Sequence, residues 1–574
     1  MSDAEAQGGG EAPTEALRLE VVVEEARRGD EARVTGATLG HPMLRQVFPS
    51  GDLWLVGFDV EDKDPDDDQP RFSAIVHDTV TGRSALADGY LDDPETIDVT
   101  PTAHQLPPGE DEFDWAVSVL AADVDLGPLV GDEGTTTYRP MPPLANVVLA
   151  DGSVDRVVTV GLRTEGSPPA HRIVGVRTGD GEIFREPLGI GARPSRDCGP
   201  PPGPGCPPRA GERVARVRVL RGEASLWELL VVRPHASSGT NGSGVELRLG
   251  DYRGQRVLNR AHVPILNVRY EDDAATAGCG PTYRDWQNEE ACFDAEGDDA
   301  VSGFRVCTAP PRTILESGDD GGGYRGVALW LDGEELLVAS QLQAGWYRYV
   351  SEWRLNADGT IRPRFGFAGV RNPCTCAPHD HHVYWRFDFD ILDADGNLVQ
   401  EYNSTPVLGT GSWHTVRHEV SRPRSAAHGR YWRVRSVRAS QGYAIRPGPE
   451  DGTADDYGAG DVWILRYHPH EVDDGEGFTT DPIRSRAQLD RFVTGESVER
   501  QDVVVWYAAH FTHDDEPGLR GPNAVTGAAG GGAHRVGPDL VPHQWKDRPA
   551  TATSFASLRP PTEDDLRPPA RPTS

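Results

Sequence analysis

Apolar residues in this chain recur at every second position, in short runs closed by glycine, aspartate or proline. That period restricts the fold more than any other feature. "VRVLRG", "WELLVVRP", "VELRLG", "VALWLDG" and "LLVASQL" are runs of this kind. Successive residues of a strand face opposite sides, so each run can bury one face of a sheet. An amphipathic helix needs a period of 3.6, and beyond residue 210 almost no segment offers one. With 65 glycines and 47 prolines to punctuate the runs, a large antiparallel β-sandwich is expected there.

At 574 residues the chain exceeds a single compact core. "RPSRDCGPPPGPGCPPRAGER" (193–213) reads as a Pro/Gly-rich linker and marks the clearest boundary. Upstream, "LRLEVVVEEARRGD" opens one small α+β unit (18–95), and "RFSAIVHDTVTGR" reads as a hairpin closing its sheet. A second α+β unit (96–192) follows, with "DEFDWAVSVLAADVD" as its helix and "LANVVLADGSVDRVVTVGLRT" as a hairpin. Residues 214–550 form the expected sandwich, between a disordered lead (1–17) and a Pro-rich disordered tail (551–574).

Charge excludes some functions. Against 57 Lys+Arg stand 90 Asp+Glu, a net charge of −33, so a nucleic-acid-binding surface is not expected. An acidic shell favours solubility and gently attracts protonated amines. No segment approaches the roughly 18 uninterrupted apolar residues of a membrane span. The opening "MSDAEAQGGGEAPTEA" lacks the basic and apolar regions of a secretory signal, so a cytoplasmic location is expected. The seven cysteines (198, 206, 279, 292, 307, 374, 376) are too few for a disulfide scaffold. Cys374-x-Cys376 lacks zinc-knuckle spacing, so unpaired or locally bridged thiols are expected.

One strand-like segment is unusually polar. "APHDHHVYWRFDFDI" (377–391) carries three histidines and two aspartates beyond the first. His379 and His381 would share one face of a strand, with His382 on the other. Such a pair is weak evidence by itself, since a transition metal needs a further ligand. "DVVVWYAAHFTHDDE" (502–516) supplies candidates at its end, His510 and His513.

These segments resemble the copper amine oxidase family. There an H-x-H is followed five residues later by Arg, a hydrophobe and Asp, matched here by His381, Arg386, Phe387 and Asp388. A later family strand begins with Asp and carries the third copper histidine eleven residues on, matched by Asp502 and His513. "RVLNRAHVPILNVRYEDD", "YRDWQNEEACFDAEG" and "WYRYVSEWRLNADGTI" resemble further family segments in the same chain order. The resemblance is dense from 256 to 550 and thin over the first hundred residues.

The resemblance implies copper on His379, His381 and His513. It implies topaquinone formed from Tyr347, a catalytic base at Asp294, and a quinone-contacting hydroxyl at Tyr270, whose plainer reading is an ordinary strand aromatic. It also implies a structural calcium on Asp388, Asp390 and Asp502 with the carbonyls of Phe389 and Val503. The activity implied is oxidative deamination of a primary amine by dioxygen to an aldehyde, ammonia and hydrogen peroxide, in a homodimer. Asp294 would have to be buried near Tyr347, because burial raises a carboxylate's pKa into the useful range. Two positions depart from the cofactor motif: Trp346 stands for an asparagine and Arg348 for an acid. The stretch after the third histidine, "DDEPGLRGP", departs as well. A copper-binding relative with unmodified Tyr347, doing other oxidative chemistry or serving as a scaffold, therefore stays open.

Overall fold

The computed structural model describes residues 15–545, except for 50, 62, 64–68, 142, 149–153, 165–169, 186–192, 195–197, 208, 271–278, 408, 480, 514–533 and the tail from 546. The expected disordered tail, nearly all of the expected lead and the "DDEPGLRGP" stretch lie outside the described residues.

The period-two runs form two large, almost wholly antiparallel sheets, ten- and twelve-stranded among the described residues. Neighbours near the middle of the first are Gln255–Tyr270, His379–Phe389 and Val503–His513. Neighbours in the second include Glu335–Ala344, Tyr347–Asn356 and Ile361–Gly369. The sheets share one apolar core, to which Leu266, Val268 and Phe511 contribute from the first and Trp353, Phe365 and Phe367 from the second. Direct contacts cross it. The Phe367 and Phe511 rings lie 4.5 Å apart, and Trp353 donates its indole N–H to the Val245 carbonyl at 2.8 Å. A buried indole needs such a partner, so this bond fixes the relative position of the two sheets.

Upstream, a four-stranded meander, Leu53–Glu61, Arg71–Asp78, Arg83–Tyr90 and Asp93–Thr102, packs on helices Glu25–Thr38 and Pro42–Val47 with its own core. The strand Leu17–Val23, expected to open that unit, instead pairs with Val214–Arg221 at the edge of the ten-stranded sheet. Its alternating Leu17, Leu19, Val21 and Val23 pack against the large core. The second unit has its helix at Glu110–Ala122 and a hairpin of Leu144–Val148 with Val154–Thr164.

The cysteines depart from expectation. Six of them form three long-range disulfides, Cys198–Cys376, Cys206–Cys292 and Cys279–Cys374, spanning 178, 86 and 95 residues. Only Cys307 is free. Sequence spacing could not show this, because the partners meet only once distant strands pair. Two bridges staple the 193–213 stretch to the sandwich, so it is an anchored strap rather than a free linker. Bonds of this kind form and persist mainly in oxidising compartments. No helix among the described residues is long and apolar enough to cross a membrane.

Candidate metal centre

Antiparallel pairing places directly opposed residues on one face of a sheet. His379 opposes His513 on one side and Tyr270 on the other, while His381 opposes Phe511. Tyr270, His379, His381 and His513 therefore share the face turned toward the second sheet. The three imidazoles offer nitrogens within 4.8 Å of one another, and all three rings are buried. The His379 Nδ1–H donates to the Ala377 carbonyl at 2.7 Å, which leaves Nε2 for the cluster, 3.2 Å from His513 Nδ1. The bond to the Ala377 carbonyl fixes the His379 tautomer, as is usual for a metal-binding imidazole. Phe367 and Phe511 wall His381 at ring distances of 4.7 and 5.4 Å. A divalent transition metal suits three converging imidazole lone pairs. The donor set fits copper.

His382 and His510 occupy the opposite face, as strand alternation requires, with Nδ1 atoms 2.7 Å apart. Burial, with the neighbouring His510, lowers the His382 imidazole to about 3. This pair belongs to the packing behind the cluster.

Tyr347 comes from the second sheet. It follows a two-residue hairpin turn, Gly345–Trp346, between Ala344 and its partner Tyr347. Gly345 has φ +58, and a Cβ there would lie 2.6 Å from the Met141 Cβ. A tight hairpin of this kind takes glycine first, and no side chain fits. The turn delivers Tyr347 with no exposed surface, 5.1 Å from the His381 ring and 5.5 Å from that of His379. Its hydroxyl meets the Tyr270 hydroxyl. Trp346, also buried, donates its indole N–H to the same Tyr270 oxygen at 3.3 Å. Burial holds the Tyr347 phenol well above its ordinary pKa, with Tyr270 and Tyr349 adding to the effect.

Asp294 is not at this centre. It is exposed, and its backbone pairs with Arg312. Phe293 turns its side chain fully inward to pair with Tyr324, and alternation sends the next side chain out. The expected burial of Asp294 therefore fails. A different carboxylate lies beside the tyrosines. Tyr349 stacks on Tyr347 at 5.5 Å and 18°, and its hydroxyl donates to Asp285, which is completely buried. Burial pushes the Asp285 carboxyl up to about 8. Sequence reading missed it because "YRDWQ" carries no spacing that sets this aspartate apart.

Comparisons with known proteins bear on the architecture. No family model and no curated protein matches the chain. Among solved structures, a copper-containing benzylamine oxidase from Hansenula polymorpha aligns with a TM-score of 0.55 at 12% identity, covering 84% of this chain and 89% of that one. The fold is that of the copper amine oxidases. An amine oxidase from Aspergillus nidulans aligns over 93% of this chain and 89% of its own, at 15% identity and a TM-score of 0.47. The large antiparallel sandwich thus has the amine-oxidase fold, reached here by a distant sequence.

Within that architecture the expected calcium position departs. Asp388, Asp390 and Asp502 converge as foreseen, and Phe389 opposes Val503 in the strand register. The cation between the carboxylates, however, is the Lys63 ammonium, 2.6 Å from Asp388, 2.6 Å from Asp390 and 3.0 Å from Asp502. It arrives from the first small unit and also faces the Tyr467 ring at 4.4 Å. Burial raises the Lys63 cost of ionising, but the three carboxylates outweigh it and hold its pKa above the ordinary value. Burial likewise lifts the Asp390 carboxyl to about 6. A lysine clasp thus stands where the resemblance implies calcium. Lys63→Met should lose about 3 kcal/mol or more, because three buried carboxylates lose the cation they share. Thermal melts should show the variant regaining stability in calcium and losing it in chelator, while the parent responds to neither. A parent protein stabilised by calcium would refute the clasp.

Proposed function

We propose that the chain is a copper-dependent oxidase of primary amines, converting R–CH2–NH2, dioxygen and water to an aldehyde, ammonia and hydrogen peroxide. One observation carries the reading: three buried imidazoles converge beside a fully buried Tyr347 whose hydroxyl is held by Tyr270. His379, His381 and His513 would hold copper. Bound copper, with a quinone made from Tyr347, would supply the electron sink that no ordinary side chain provides.

The chain's own residues supply the rest. Tyr270 fixes the Tyr347 oxygen, and Tyr349 fixes the ring plane by stacking. Asp285, with its carboxyl raised to about 8, is the buried group suited to take a proton from the carbon next to nitrogen. Tyr349 links it to the Tyr347 ring, whereas solvated Asp294 lacks that environment. Trp346 excludes water from the centre. Copper amine oxidases act on amines through dioxygen, and the same two co-substrates and a homodimer are proposed here by resemblance.

Trp346 also favours a second reading, a copper protein in which Tyr347 stays unmodified. The indole covers the tyrosine and is tied to its hydrogen-bonding partner. The discriminating experiment loads the metal-free protein with Cu(II) in air and adds phenylhydrazine, with Tyr347→Phe as control. A hydrazone absorption that disappears in the control supports the quinone. Bound copper without that absorption leaves the second reading.

A further inference from the structure

A cavity of roughly 770 Å³ lies between the second small unit, the 193–213 strap and the sandwich, and Trp346 forms part of its wall. In a chain of net charge −33 this wall is cationic. It carries Arg139, Arg163, Arg209, Arg325, Arg348 and Arg371, against three acids, Glu289, Glu290 and Asp320.

The acids are largely committed. Glu290 turns away to Arg233, outside the cavity, in a two-pronged bond of 3.0 and 2.5 Å, and also meets His235 at 2.9 Å. Asp320 is taken on both oxygens by Arg348, at 2.7 and 2.8 Å. Only Glu289 is left, 3.6 Å from Arg139. Arg209, Arg325 and Arg371 make no ion pair among the described residues. The Arg325 Nε is buried without a hydrogen-bond partner among them. Burial lowers the Arg325 guanidinium, and although Glu289 and Glu290 oppose this, the charges of Arg209 and Arg233 add to it. Guanidiniums crowded in this way are relieved by a bound anion, which they grip through forked, charge-assisted bonds.

We propose that this cavity binds the anionic end of the substrate, an amine whose far end carries a carboxylate or a phosphate ester. The surface average of the chain predicts attraction of plain cationic amines, but the surface next to Trp346 has the opposite sign. The amine half of the statement rests on the amine-oxidase reading, whereas the anion site does not depend on it.

Calorimetric titration of the full chain, both unmodified and as Tyr347→Phe, with 6-aminohexanoate, hexanoate, hexylamine and inorganic phosphate tests the site. Hexanoate and 6-aminohexanoate should bind at least about tenfold more tightly than hexylamine, and added salt should weaken them. Arg325→Gln should weaken anion binding by about fivefold or more while leaving hexylamine unchanged. Arg209→Gln, at an exposed position, repeats the test without touching a buried group. Phosphate that displaces hexanoate supports the site and assigns the ester form, and phosphate that fails to displace it supports the carboxylate form. Hexylamine binding as tightly as 6-aminohexanoate overturns the proposal, as does anion binding unchanged in both arginine variants. Anion binding that persists without any phenylhydrazine product would overturn the amine-oxidase reading and keep the anion site.

Discussion

Replacing His381 with alanine is expected to leave a folded chain that no longer holds copper tightly. His381 is buried on the shared face of the sheet, between His379 and Phe511, at ring distances of 4.7 and 5.4 Å. Removing it takes one of three donors from the cluster, and apolar walls offer no substitute. Even supporting residues around a metal are worth roughly 10- to 100-fold in affinity, so loss of a ligand should cost about 100-fold or more. His382→Ala is the matched control one residue along. That side chain faces the other way, against His510, so its loss should lower stability while copper is retained. Metal content after dialysis, read beside circular dichroism, separates the two outcomes. Copper retained by His381→Ala and lost by His382→Ala would place the metal on the wrong face of the strand for this account.

Asp285→Asn should have two large effects with opposite signs. The folded-state carboxyl sits near 8 because burial penalises its charge, against an ordinary value of 3.8. The folded protein therefore binds this proton more tightly than the unfolded chain does. Nothing is lost below about pH 4, where both states are protonated. Stability then falls as pH rises toward 8 and levels off above it, by an amount on the order of 5 kcal/mol at most. Asparagine cannot ionise, so the variant should match the parent near pH 4 and exceed it near pH 8 in denaturant melts. Amine turnover should move the other way. A base that ionises only on approaching pH 8 gives a rate rising over that range, and its removal should cost about 100-fold or more and flatten the profile. Asp294→Asn, at an exposed position, should change little. A large loss at Asp294 with none at Asp285 would return the base to the residue that family resemblance points to.

The parts of this molecule that could be read in advance are those written at short range. Strand alternation placed His379 and His381 together and His382 apart, and the family resemblance, through its eleven-residue interval from Asp502, pointed to His513 over His510. The sandwich itself is legible in the period-two runs. What escaped detection depends on contacts between distant segments. Lys63 and Asp388 are 325 residues apart, and nothing near "EDKDPDDD" marks that lysine as the cation of a cluster in another unit. Asp285 and Tyr349 are 64 apart, and only the packing of one sheet on the other joins them. Asp294 was misplaced because a one-residue step along an extended segment exchanges inside for outside, and motif similarity does not fix that parity.

The disulfides make the history of the molecule part of its chemistry. Cys374 and Cys376 lie immediately before the strand that carries His379 and His381, and each is tied to a remote segment, Cys279 in one case and Cys198 in the other. Thiol oxidation therefore decides how the entrance of the strand that carries these histidines is held. A polypeptide synthesised under reducing conditions would have that entrance untethered. With six half-cystines there are fifteen ways to pair, and only one tethers the strand in this manner. Preparations from different hosts could then share every amino acid and still differ in metal occupancy, so the redox record of a sample belongs beside its sequence when its activity is judged.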